Sequence, residues 1–189
     1  LRIRQQPIRA RMCGCGDKDR RAIDPPPIAQ LVDAATGADA WAVSAFYVDR
    51  TVSSSSTGES AAVSAAVSAV TKTVVVPMPI PTSTRSSPLI GTLVACSMVL
   101  HDDQNVRGCF FIFPDLSVRY EGTFVLKLSL ISLEGEPMPL LKGETTVASV
   151  VYTQPFRVYP PKAFPGMMAS SALSRAFARQ GCKLPIRRE

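Results

Sequence analysis

The sequence predicts a mainly β chain, an antiparallel sandwich with one short helix near the C-terminus. Three observations lead there. Strand-like runs follow one another without helical crossovers between them, which points away from an α/β fold. Pro makes up 16 of 189 residues, a frequency that disfavours an all-helical chain. Residues 122–133, GTFVLKLSLISL, place Phe124, Leu126, Leu128 and Leu130 on one face and Val125, Lys127, Ser129 and Ile131 on the other. That period of two is the mark of a strand with one face on a core.

In chain order, residues 1–11 read as a strand interrupted at Pro7, and 13–21 (CGCGDKDRR) as a charged loop. The Asp24-Pro-Pro-Pro27 stretch is extended, because Pro cannot continue a helix and restricts the residue before it. Residues 28–33 (IAQLVD) and 44–50 (SAFYVDR) read as strands. Residues 51–88 are a low-complexity insertion rich in Ser, Ala, Val, Thr and Pro. Within it, Val63, Val67 and Val70 fit one face of a weak helix, and 71–80 (TKTVVVPMPI) fit either linker or a buried strand. Residues 89–100 form one apolar run, His101–Asn105 a turn, 108–113 (GCFFIF) a second run, and 114–121 a polar connection. Residues 134–139 read as a loop and 146–159 as one or two strands broken at Pro155. Residues 169–180 are helical, capped by Ser170 or Ser171 and stopped at Gly181, with Leu173 and Phe177 on one face. The count is about seven or eight strands. The whole reads as a single domain over 1–189, interrupted at about 51–88, and the start at Leu1 suggests a piece of a longer chain.

The net charge of +6 is unevenly placed. Residues 1–21 hold Arg2, Arg4, Arg9, Arg11, Lys18, Arg20 and Arg21 against Asp17 and Asp19 alone. Residues 162–189 hold Lys162, Arg175, Arg179, Lys183, Arg187 and Arg188 against Glu189, while the middle is net acidic. Two basic ends make a polyanion-binding face if the fold brings them together, and two solvated ends if it does not. No run reaches 18 consecutive apolar residues, so no membrane span is expected.

The five cysteines (Cys13, Cys15, Cys96, Cys109 and Cys182) are odd in number and irregular in spacing. They suit thiols in a reducing compartment, nuclear or cytosolic, better than a disulfide framework. The Cys13-Gly14-Cys15-Gly16 run has no second ligand pair, so no metal is expected and the glycines read as a tight turn. Enzymatic chemistry has no positive support, and no catalytic residue or cofactor is expected. The only His is His101, in a polar turn. The carboxylate pairs Asp17/Asp19 and Asp102/Asp103 read as solvated turns. CGCG lacks the Lys-Ser/Thr that completes a phosphate loop.

Three segments, RQQPIRARMCGCGDKDRRAIDPPPIAQL (4–31), IGTLV (90–94) with GCFFIFPDLSVRYEGTFVLKLSL (108–130), and FRVYPPKAFPGMMASSALSRAFARQGCKLPIRRE (156–189), together resemble the velvet-domain family of fungal regulators. The link between SAFYVDR and IGTLV is longer than is usual there, and Cys15 stands where family members often have an aromatic residue. The resemblance implies an immunoglobulin-like β-sandwich similar to Rel-homology DNA-binding domains. It implies a nuclear regulator of development, sporulation and secondary metabolism, shuttling from the cytoplasm, that binds double-stranded DNA as a dimer with itself or another velvet protein. It also marks the loop as the DNA contact, carried over here to Lys18, Arg20 and Arg21.

Strand periodicity adds Arg9 and Arg11, on one face of the strand before that loop. Asp17 and Asp19 are expected to orient Lys18 and Arg20 through local pairs. Lys183, Arg187 and Arg188 read as further phosphate contacts, a nuclear-targeting signal or a solubilising tail. The competing class is an interaction module that dimerises with another velvet protein without touching DNA. Its candidate surface is Met167, Met168, Leu173 and Phe177, unless these cap the core, which is the favoured reading.

Overall fold

The computed structural model of the chain describes residues 1–14, 20–32, 44–49, 88–132 and 147–187, with 44–49 and 131–132 described as backbone. The insertion read at 51–88 (Pro88 apart), its helix and strand alternatives, and the loop at 134–139 lie outside these residues.

The N-terminal segment forms two strands, β1 (Arg2–Gln5) and β2 (Arg9–Arg11), parted at Pro7 as expected. They enter different sheets. β1 lies at the edge of a four-stranded sheet with β3 (Ile28–Leu31), β8 (Arg107–Ile112) and β7 (Met98–His101), in the order β1-β3-β8-β7. β2 lies at the edge of a three-stranded sheet with β10 (Gly122–Phe124) and β13 (Phe156–Tyr159), in the order β10-β13-β2. A third sheet has the order β12-β11-β4-β6, built from β12 (Val147–Tyr152), β11 (Lys127–Ser132), β4 (Ser44–Asp49) and β6 (Val94–Cys96). A short pair joins β5 (Leu89–Ile90) to β9 (Ser117–Val118). The helix α1 (Ala172–Arg179) is capped by the Ser171 hydroxyl, which accepts the Ser174 N–H. It ends where Gly181 takes φ 93°, a left-handed conformation that favours glycine.

The larger sheets enclose one core. Ala10, Ala29, Ala95, Phe111, Val118, Phe124, Leu126, Leu128, Leu130, Phe156 and Val158 all bury into it. A second, smaller cluster lies on the other side of the β1-β3-β8-β7 sheet, where Ile28, Leu100, Phe110 and Ile112 meet Leu173 and Phe177 of α1 and Leu184. GCFFIF is continuously apolar for this reason: Phe111 and Phe113 face the sandwich, and Phe110 and Ile112 face the helix. Phe110 and Phe177 bring their ring centroids to 4.7 Å, so Leu173 and Phe177 cap the core instead of forming an open patch.

Four expectations change. The apolar run 89–100 is three strands, because the chain turns at Gly91 (φ 117°) and then passes at Ser97 from the β4 side to the β8 side. Residues 114–121 are no polar connection: Leu116, Ser117 and Val118 are fully buried. Residues 122–133 are two strands, not one. β10 pairs with β13 and β11 with β12, and between them Leu126 exchanges hydrogen bonds with Thr153, N–H to Oγ1 at 2.9 Å and O from N–H at 2.9 Å. The predicted inward face survives the break, with Phe124, Leu126, Leu128 and Leu130 all buried. Lastly, β13 and β2 pair in parallel in an otherwise antiparallel set of described pairings.

Candidate nucleic-acid interface

β2 reads Arg-Ala-Arg. Ala10 is fully buried in the core, so alternation turns Arg9 and Arg11 to the opposite face, where each is half-buried. The parallel partner β13 repeats the pattern: Phe156 and Val158 point inward, Arg157 and Tyr159 outward. The register sets Arg157 beside Arg9 and Tyr159 beside Arg11. Arg157 is exposed, with its guanidinium carbon 5.7 Å from the centre of the Tyr159 ring. Arg9 donates from Nη1 to the Gly166 carbonyl at 3.4 Å. Sequence reasoning missed Arg157. Alternation within FRVY shows that Arg157 opposes Phe156 and Val158, but nothing in the sequence shows that β13 pairs with β2.

Parallel pairing also means that both strands end at the same edge. The chain after Arg11 and the turn after Tyr159 therefore emerge side by side, joined by the Met12 N–H donating to the Tyr159 carbonyl at 2.9 Å. Exposed Lys162 sits in that second turn. The first continues into the loop, whose two limbs are fastened to one stretch of chain. Cys13 N–H and Gly14 N–H donate to the carbonyls of Val118 and Arg119, and Ile23 N–H donates to Leu116. Arg119 returns a bond from Nη1 to the Gly14 carbonyl at 3.1 Å. Gly14, at φ 62°, supplies the left-handed turn expected of the glycines.

Lys18, with Asp17 and Asp19, lies outside the described residues. Arg20 is exposed and held at the surface: it donates to both the carbonyl and the carboxylate of Asp115, the latter at 3.1 Å, and its Nε reaches Ser117 Oγ at 3.3 Å. Asp115, not a loop aspartate, is its described partner. The same carboxylate accepts the Thr92 N–H and hydroxyl. Gly91 packs so close that a Cβ there would stand 2.5 Å from the Asp115 carbonyl and 2.8 Å from Arg20 Nη2. Arg21 is exposed.

The C-terminal basic residues divide similarly. Lys183 is exposed, and Arg188 lies outside the described residues. Arg187 departs from the solvated tail that was one expectation. Its Nη1 lies 3.3 Å from Oδ1 of Asp24, whose side chain is only 3% exposed and whose other oxygen accepts the Met168 N–H. Asp24 in turn bridges the backbone of Arg9. Near the helix cap, the Ser171 hydroxyl bonds the amide of Gln5. These contacts, with that of Arg9 to Gly166, set the C-terminal segment against the N-terminal one.

Asp102 corrects the reading of Asp102/Asp103 as a solvated pair. Asp102 is buried; its Oδ1 accepts the N–H groups of Gln104 and Val106, and its Oδ2 accepts Arg4 Nη2 at 2.9 Å. Burial pushes its carboxyl up, but the Arg4 hydrogen bond, the two backbone bonds and the Arg4 charge outweigh that and hold it below its ordinary value. Arg4 also donates to Gln30 at 2.7 Å, as Arg2 does at 2.8 Å, and lies over the Phe110 ring. His101 is exposed at the end of β7, its backbone N–H and C=O both held by the Gln180 amide. Among the described residues there is no group of three His, Cys, Asp or Glu side chains placed to hold a metal. No described helix is long and apolar enough to cross a membrane.

The family model described as Velvet factor matches residues 1–48 and 42–189. The spore development regulator vosA of Beauveria bassiana is 38% identical over the whole chain, which spans 65% of that protein. The developmental and secondary metabolism regulator VEL1 of Hypocrea jecorina is 32% identical, with 33% of its length spanned. A velvet complex protein of Aspergillus flavus, named as one of that complex's subunits, is 29% identical, with 78% spanned. The first two relatives are named as regulators, and none of the three as an enzyme.

Proposed function

Because the chain belongs to the velvet family, whose members are named as regulators of fungal development and secondary metabolism, we propose that this domain binds duplex DNA sequence-specifically within such a regulator. It controls development, sporulation and secondary metabolism from the nucleus, entering from the cytoplasm, and works as a dimer with itself or another velvet protein. The observation that carries this reading is the parallel pairing of β2 with β13. It gathers Arg9, Arg11 and Arg157 on one sheet face and sets that face at the root of the loop bearing Lys18 and Arg21. Arginine forks on such a face hold phosphates, and a loop at the end of a sandwich reaches a groove. Arg20 and Arg187 support the interface from behind, through Asp115 and Asp24.

Selection of bound duplexes from random DNA with the purified chain tests the reading. A recurring motif is expected, with specific affinity that falls as salt rises. Equal retention of all sequences, or none, overturns it. The second reading, dimerisation without DNA contact, is favoured by the relative named for its place in a velvet complex. It predicts a stable complex with another velvet protein and no shift of any duplex.

A further inference from the structure

We propose that Arg157 and Arg9 form a two-arginine clamp on a single phosphate of duplex DNA, which extends the interface from the loop onto the outer face of the β10-β13-β2 sheet; the proposal rests on the DNA-binding reading above. The register makes the two residues Cα partners on adjacent strands, about 4.8 Å apart, with side chains on one face. Like charges set directly opposite across a sheet oppose folding. The row offers little to offset them. It runs Thr123, Arg157, Arg9 and then Asp24. Both oxygens of Asp24 are occupied, by the Met168 N–H and by Arg187.

A phosphate between the two guanidinium groups supplies the missing negative charge. It also has the acceptor geometry that a planar fork matches. Arg157 is partly organised for this role, since the Tyr159 ring lies under its guanidinium while the residue stays exposed to solvent. Arg9 is braced by one bond from Nη1 to the Gly166 carbonyl, which leaves the rest of its fork uncommitted among the described residues. A phosphate seated here lies beside the strand ends that lead to Lys162 and to the basic loop. One stretch of DNA backbone thus runs along the sheet face toward the strand ends after Arg11 and Tyr159.

The experiment measures binding of a duplex selected by the parent chain across a salt series, for Arg9→Ala, Arg157→Ala, Arg157→Lys and the double alanine variant. Arg179→Ala, at the end of α1, is the charge-matched control. Thermal melting of each variant confirms a folded chain, and exposed Arg157 is expected to melt with the parent. The clamp predicts that Arg157→Ala weakens binding and flattens the log-affinity slope by up to about 0.9 per domain without altering sequence preference. The double variant loses no more than about that same slope, because one phosphate is released only once. Arg157→Lys keeps most of the slope but loses affinity, and Arg179→Ala matches the parent. A parent-like slope for Arg157→Ala, or a double variant that loses twice as much, overturns the clamp while DNA binding stands. A parent that binds no duplex overturns both.

Discussion

Two pairs of arginines a few residues apart, Arg2 and Arg4 on β1 and Arg9 and Arg11 on β2, share composition, strand context and alternation, yet the fold uses them differently. Arg4 spans Gln30 and the buried carboxylate of Asp102, and Arg2 joins it on Gln30. The charge of Arg4 is spent inside the domain, on the carboxylate that closes the turn between β7 and β8. Arg9, by contrast, has another arginine, Arg157, as its cross-strand neighbour and a backbone carbonyl as its hydrogen-bond acceptor. A count of basic residues treats both pairs as one patch. What separates them is which strand each strand lies beside.

The contrast between the two pairs requires β13 to keep Phe156 inside and Arg157 outside. Phe156→Ala is expected to cost ~3–5 kcal/mol in denaturant unfolding, as for other buried aromatics, while Arg157→Ala stays within about 0.5 kcal/mol of the parent. Equal costs would mean that the face has been assigned to the wrong side of the strand.

Next in size is the contrast between Arg4 and Arg9. Arg4→Met leaves Asp102 buried without its cation, and should destabilise by roughly 2–3 kcal/mol, less than a fully buried pair because the Arg4 side chain is 20% exposed. Arg9→Ala should cost about 1 kcal/mol or less. The reverse order would make Arg9 the structural residue.

Acid unfolding sharpens the same point. The folded carboxyl of Asp102 is held below its ordinary value of 3.8, so its contribution is present above that pH and is lost as pH falls through the lowered folded value. In Arg4→Met the Arg4 hydrogen bond and charge are gone while the burial remains, so the folded carboxyl moves up from its value in the parent and acid unfolding should begin at higher pH. Arg9→Ala should leave the acid limb where it is. Coincident limbs for Arg4→Met and the parent would remove Asp102 from the account.

Much of the fold was legible because alternation is local. The inward set Phe124, Leu126, Leu128 and Leu130, the break at Pro7, the strands around Pro155 and the helix from Ser171 to Gly181 all follow from residues within a few positions of one another. What misled was register and sheet-switching. LIGTLVACSMVL carries one apolar pattern through three strands, because its turn at Gly91 depends on contact with Asp115 across the core edge. Buried Ser117 hid β9 in a polar-looking segment, since its hydroxyl is satisfied by the Arg21 carbonyl. The candidate site was half legible. Arg9 and Arg11 follow from period two, but the ion pairs of Arg20 and Arg187 depend on Asp115 and Asp24, and Arg157 depends on a parallel pairing that no local pattern encodes.

The most direct test of the central claim sets the two pairs against each other on DNA. The slope of log affinity against log salt is measured for the parent, Arg9→Ala and Arg2→Ala on one selected duplex. Arg2 is chosen over Arg4 because it is exposed, so its loss leaves the fold intact. Arg9→Ala should flatten the slope by up to about one unit per domain, and Arg2→Ala should leave it at the parent value. Equal flattening by both, or by Arg2→Ala alone, would contradict the claim that strand pairing selects which arginines meet the phosphates.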